Sequence, residues 1–140
     1  MFDITQFAPT DTAFLHLKSP VDEEPLFDGV GDARTPVGIT FHAPGSAAYE
    51  AAAAKRTNRA LGRSKKKIDL TADLLRADTT SFLAEVTVSF DGLGYPPAGD
   101  ATGDVLFKAL YDDRKCGWIV EQANVFLGDW ANFSKGSATS

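Results

Sequence analysis

The groups in this chain that are able to take part in a reaction are few and far apart. His16 and His42 are the only histidines and Cys116 is the only cysteine. A structural or catalytic zinc needs three or four such ligands at short, characteristic spacings, and that pattern is absent. A lone cysteine also excludes an intrachain disulfide, so Cys116 reads as a reduced, partly buried thiol. Asp112-Asp113 is a pair of adjacent carboxylates. Two carboxylates in one site can divide acid and base roles, but neighbours at a helix end are ordinarily solvated turn residues. Pro44-Gly45-Ser46 ahead of Lys55 superficially resembles a phosphate loop. It lacks the second glycine followed by Lys and Ser/Thr that would cradle a phosphate, and Ser46 reads instead as a helix cap. Gly92-Leu93-Gly94 is too short for a dinucleotide fingerprint and runs into Pro96-Pro97. Because these groups do not converge, the expectation is a protein that is not an enzyme and holds no metal and no cofactor.

Binding is a better use of these residues. Seven of the fourteen basic residues fall between Lys55 and Lys67: Lys55, Arg56, Arg59, Arg63, Lys65, Lys66 and Lys67. Lysine and arginine neutralise a phosphate backbone well. Single-strand binders, however, interleave such charges with stacking aromatics, and there are none between residues 50 and 81. A net charge of −5 also argues against nucleic acid as the partner. The cluster reads first as a solvated helix end and linker, and second as a docking surface for an acidic protein. Phe107, Tyr111, Trp118, Phe126, Trp130 and Phe133 crowd the C-terminal part. Most should build a helical core, while some can belong to an adhesive surface, where aromatics are enriched. The candidate partner-binding residues are Trp118, Phe126, Trp130 and Phe133, with Lys55, Arg56 and Arg59.

The elements that position these residues follow from periodicity. Thr12 to Lys18 alternates, with Ala13, Leu15 and Leu17 on one face, and stops at Ser19-Pro20; it reads as a strand. Residues 19–36 hold acids, prolines and glycines and read as a long loop, with a brief strand at Leu26-Phe27. Val37 to Phe41 alternates again as a second strand, ended by Ala43-Pro44-Gly45. Ser46 then caps an alanine-rich helix with Glu50 in its first turn. Gly62 is expected to end it, leaving Arg63 to Lys67 as an exposed linker. From Leu70 to Phe90 the apolar residues recur at helical spacing behind a Thr71 cap, which favours a helix. Residues 85–90 alternate and include β-branched side chains, so a strand competes there. Residues 91–103 are a loop. A short helix capped by Thr102 or Asp104 reaches Tyr111, and a last helix runs from about Arg114 to Trp130 with Ile119, Ala123, Phe126 and Trp130 as its inner stripe.

The fold class that results is α+β: short N-terminal β-strands, as a hairpin or small sheet, followed by a mainly helical C-terminal region. The 140 residues suit one domain, over 1–133, with the long loop at 19–36. Residues 134–140 read as a disordered polar tail. The opening residues MFDITQFAPT lack a basic start and an apolar run, and no stretch approaches the ~20 apolar residues of a membrane span. A soluble, intracellular protein with no membrane partner is expected.

The order of features resembles the tail assembly chaperones of long-tailed bacteriophages and prophages. The resemblance rests on Pro44-Gly45-Ser46-Ala47-Ala48-Tyr49, on Ser89-Phe90-Asp91-Gly92-Leu93, on Leu106 to Asp113, and above all on Gly117-Trp118-Ile119-Val120-Glu121-Gln122-Ala123 with Phe126 and Asp129 through Asn132-Phe133. It covers about residues 35–133. Members often carry tryptophan where Phe90 stands, and the loop Gly94 to Gly103 is longer than the family pattern. The resemblance implies a viral protein that works in the host bacterial cytoplasm and is absent from the mature virion. It would bind and solubilise the tape-measure protein during tail assembly, as a homo-oligomer. A frameshifted longer form, with the major tail protein as its further partner, is also implied. Two other readings stay open: a virion structural tail protein, such as a tail-tube or tail-completion subunit, or a small cytosolic adaptor using the 55–67 basic cluster.

Overall fold

Alternating, partly β-branched segments pair edge to edge when one face can be buried, and three such segments do so here. The computed structural model describes residues 1–133; the polar tail expected at 134–140 lies outside the described residues. Strand β1 (Thr12–His16) pairs antiparallel with the fourth strand of the chain, Gly38–His42, in the register Thr12↔His42 to His16↔Gly38. That strand, β4, is central, because its other edge pairs antiparallel with β5 (Thr87–Asp91). Leu15, Leu17, Ile39 and Phe41 are buried, so the alternation read for both N-terminal strands holds. Gly38 is required where it stands. The Phe14 ring lies over it, and a Cβ at that position would meet Leu15 O and come within 2.5 Å of Phe14 Cζ.

The loop at 19–36 carries a small ribbon of its own, β2 (Phe27–Asp28) against β3 (Thr35–Pro36). The brief strand expected at Leu26-Phe27 is therefore displaced by one residue. Leu26 itself wedges between the strands, donating to Leu17 O (2.9 Å) and accepting from Val37 N–H (3.0 Å).

Helix α1 (Ala47–Lys65) starts as expected, with Ser46 Oγ accepting from Tyr49 N–H at 3.2 Å. Gly62 does not end it. The helix continues to Lys65, which takes Arg63 out of the expected linker. Helix α2 (Ala72–Val86) is capped by Thr71, whose hydroxyl accepts from Leu74 N–H. The helix expected over 70–90 stops at Val86, and its last residues join the sheet as β5. Thr87 makes the switch: its hydroxyl donates back to Leu83 O (2.6 Å) while its backbone turns extended. Beyond it, Phe90 lies opposite Ile39, and Thr40 Oγ1 donates to Asp91 Oδ2 at 2.6 Å.

Helix α3 (Gly103–Asp112) follows Thr102, which gives no side-chain cap. The expected last helix is shorter than its periodicity implied. A 3-10 turn at Arg114–Cys116 leads into α4 (Gly117–Leu127), and a second at Trp130–Phe133 closes the described chain. Ile119 and Ala123 are buried as the stripe required, but Trp130 is 61% exposed and Phe133 takes the inner place. The helix ends at Leu127 with Gly128 as its C-cap, whose N–H donates the last i to i−4 bond to Asn124 O, so a prediction carried past it selects the wrong ring. The arrangement is α+β. Its buried cluster joins Leu17, Ile39 and Phe41 of the sheet side with Leu83 and Val86 of α2, Leu110 and Tyr111 of α3, and Ile119 of α4. Tyr111 donates its hydroxyl to Thr87 Oγ1 (2.7 Å), since the Thr87 proton is committed to Leu83 O; burial pushes the Tyr111 phenol well up. Among the described residues, no helix is long and apolar enough to cross a membrane.

Candidate functional site

The groups with reactive potential do not meet. His16 pairs across from Gly38 and His42 across from Thr12, at opposite ends of the β1–β4 ladder. His16 donates through Nε2 to Leu26 O (2.7 Å) and stacks edge-on with Phe27, so it pins the loop ribbon to the sheet. Asp112 pairs with Lys108 at 2.9 Å. Asp113 accepts from Tyr95 Oη at 2.6 Å and caps Lys115 N–H at 2.9 Å. Cys116 is a free, half-buried thiol, raised in pKa by burial. Among the described residues, no group of three His, Cys, Asp or Glu side chains is placed to hold a metal.

The basic residues divide into braced and free. Arg63 grips Asp78 with both terminal nitrogens. Arg59 reaches Glu85 at 3.1 Å and Asp78 at 3.6 Å, and Arg56 lies over the Phe82 ring at 5.1 Å. Lys55 is exposed. Of the three cations read as partner-binding, Arg59 thus spends its charge inside the molecule.

The four aromatic candidates divide as well. Phe133 is fully buried and belongs to the core, so it is not available to a partner. Phe126 is half-buried, between the rings of Phe41 (6.0 Å) and Phe133 (5.3 Å). Trp118 is half-buried on a small cleft with Lys18, Pro20 and Glu23. Trp130 is exposed. Helix α4 brings Phe126 to the rim of a groove of about 490 Å³, whose walls include Leu15, His16, Gln122, Val125 and Asn132.

One side of this groove is an unclosed sheet edge. β1 is an edge strand. Leu17 N–H donates to Val37 O (3.0 Å), so the odd-numbered residues turn their amides toward β4 and, by the alternation of an antiparallel ladder, Phe14 and His16 turn theirs outward. No other backbone bonds these outward groups among the described residues. At the next outward position, Lys18, a side chain does the work of a neighbouring strand: the Gln122 carboxamide accepts from Lys18 N–H and donates to Lys18 O, both at 2.9 Å. Beside the edge stands Val125, 76% exposed. Gln122, Val125 and the edge itself were not readable as site residues. Their roles depend on which strand is outermost, and no local pattern states that.

No family model, no curated protein and no solved structure matches the chain.

Proposed function

We propose that this protein is a non-catalytic holder of another polypeptide: a phage tail assembly chaperone that keeps the tape-measure protein soluble in the host cytoplasm while the tail is built. The observation that carries the reading is the open edge of β1 running beside the groove under Val125 and Phe126. An unpaired edge offers N–H and C=O groups to any extended chain, and strand addition with side chains entering an adjacent groove is a general mode of peptide capture. Gln122 on Lys18 supports it, because a single amide already occupies that edge with strand-like bonds. Leu15, Val125 and Phe126 give the groove an apolar strip that suits an apolar client, bordered by Lys18, Glu121 and Asp129. The residue pattern from Gly117 to Phe133 supports the choice of a tail assembly chaperone among polypeptide holders. Weak capture at each site is sufficient when many copies line one long client.

The test is co-expression with the candidate client, the product of a long, helical, apolar reading frame sought next to the gene for this chain. The wild-type protein should raise the soluble fraction of that client severalfold. Val125→Asp alters an exposed position and places a charge on the groove rim, and it should abolish most of the gain. If the client stays insoluble with the wild-type protein, the reading is wrong. If Val125→Asp supports the client as well as wild type does, the groove is not where the client binds.

A further inference from the structure

The far end of the α1–α2 hairpin differs in character from the rest of the molecule. From Lys55 to Leu75 seven cations stand against two carboxylates, Asp69 and Asp73, leaving +5 in a chain of net −5. Two of the cations, Arg59 and Arg63, are matched by Asp78 and Glu85, and Asp73 is engaged by Arg114 at 3.3 Å. Lys65, Lys66 and Lys67 are exposed and have no ion-pair partner among the described residues.

Among these charges lies apolar surface. Leu61, Ile68, Leu70 and Leu75 each leave about half their surface in water, 49–59%. Four large aliphatic side chains within one hairpin end are more than scattered exposure, and apolar patches rimmed by polar groups mark interaction sites. Arg56, Arg63, Ile68, Leu70 and Leu75 line a groove of about 420 Å³ there. We propose that this groove is a docking site for an amphipathic helix of a partner protein, one carrying acidic residues beside an apolar stripe. The apolar walls take the stripe, as grooves between helices take the anchors of a helix at i, i+3 and i+4 spacing. The lysines and Arg56 select the acids through charge complementarity and speed the encounter. Nucleic acid fits less well: residues 50–81 hold no aromatic on which a base can stack. A bilayer fits less well because the surface is concave. This site is separate from the β1 edge and does not depend on it.

The probe is a labelled helical peptide of about 20 residues, long enough to hold a helix, with a leucine stripe flanked by glutamates. Its twin has lysine for every glutamate. The full chain should bind the acidic peptide about tenfold more tightly than the twin, and less tightly as salt is raised. Lys65, Lys66 and Lys67 lie between Ser64 and Ile68, which both line the groove, and reversing them with Lys65→Glu, Lys66→Glu and Lys67→Glu should abolish the preference. Leu70→Ser with Leu75→Ser should weaken the acidic peptide severalfold. Val125→Asp should leave it unchanged, which separates this site from the groove at β1. Equal affinity for the two peptides, or binding indifferent to the hairpin substitutions, would overturn the proposal. So would a hairpin that binds anionic vesicles or duplex DNA in preference to the peptide.

Discussion

Tyr95 and Asp113 hold each other through one short hydrogen bond, 2.6 Å long, between the loop after β5 and the end of α3. The phenol donates, so the bond exists only while Tyr95 keeps its proton, and Tyr95 is pushed up to about 12 chiefly by that bond. Asp113 is held below the usual carboxylate range, first by Tyr95 and then by the Lys115 amide. The two shifts bound a pH window. The Asp113 contribution is fully present above the carboxylate range of an unfolded chain and is lost as pH falls through its lowered value. The Tyr95 contribution is fully present below the ordinary tyrosine range and is lost as pH rises through about 12. The difference in tyrosinate absorbance between wild type and Tyr95→Phe isolates this group from Tyr49 and Tyr111. It should titrate near 12, and Asp113→Asn should bring it back toward 10. A Tyr95 that titrates near 10 in both proteins would remove the bond from this account. The same pair marks how far single residues were legible. Adjacent Asp112 and Asp113 read as solvated turn residues beyond the helix, but Asp112 is the last residue of α3 and Asp113 its half-buried C-cap. That Asp113 would be claimed by a phenol 18 positions earlier has no local signature.

Helix α1 shows what an element gains from its neighbour. Its buried contribution is the single residue Ala52, so packing of apolar side chains does little for its second half, although tertiary contacts rather than propensity supply most of the stability of a helix in a folded protein. Asp78 of α2 supplies the brace, receiving Arg63 on both carboxylate oxygens and standing 3.6 Å from Arg59 Nε. Both partners of the Arg63 pair are largely shielded, with side chains 17% and 12% exposed. Asp78→Ala leaves Arg63 shielded and unpaired, and should cost about 3 kcal/mol in urea-induced unfolding. A loss under about 1 kcal/mol would class the pair with solvated surface bridges. This brace also explains why α1 passes Gly62. Glycine is a frequent helix stop, but the last turn here is held from outside by a charge on another helix. The junction at Val86 was obscure for a related reason. Val86 and Phe90 are four apart, so helical spacing runs through the break unchanged, and only pairing with β4 decides that residues 87–91 are strand. Short alternating strands and capped helix starts were legible because their signals are local. The third strand, the end of α1 and the place of Phe133 depended on contacts across the chain.

Across the whole molecule, burial and charge are distributed in opposite senses. The fully buried side chains Leu17, Ile39, Phe41, Leu83, Leu110, Tyr111 and Phe133 form one cluster of sheet and helix residues. The net positive stretch and four half-exposed aliphatics occupy the hairpin end, outside that cluster. Local opening is least costly where buried apolar contacts are fewest. The hairpin end should therefore open without the core, with α1 beyond about Lys55 and the first turn of α2 separating from Ile39, Phe41 and Leu83. Native-state hydrogen exchange reads this directly. Amides of β4 should exchange only through global unfolding, with a strong dependence on denaturant. Amides from Arg59 to Lys65 should exchange through a smaller opening with a weak dependence. The acidic helical peptide should slow exchange at the hairpin end and leave β4 unchanged, because a ligand stabilises the state it binds. Uniform protection along α1 and β4 would mean that the brace at Asp78 makes hairpin and core a single cooperative unit. In that case a partner at the hairpin end would stabilise the sheet as well, and occupancy of one surface would be felt at the other.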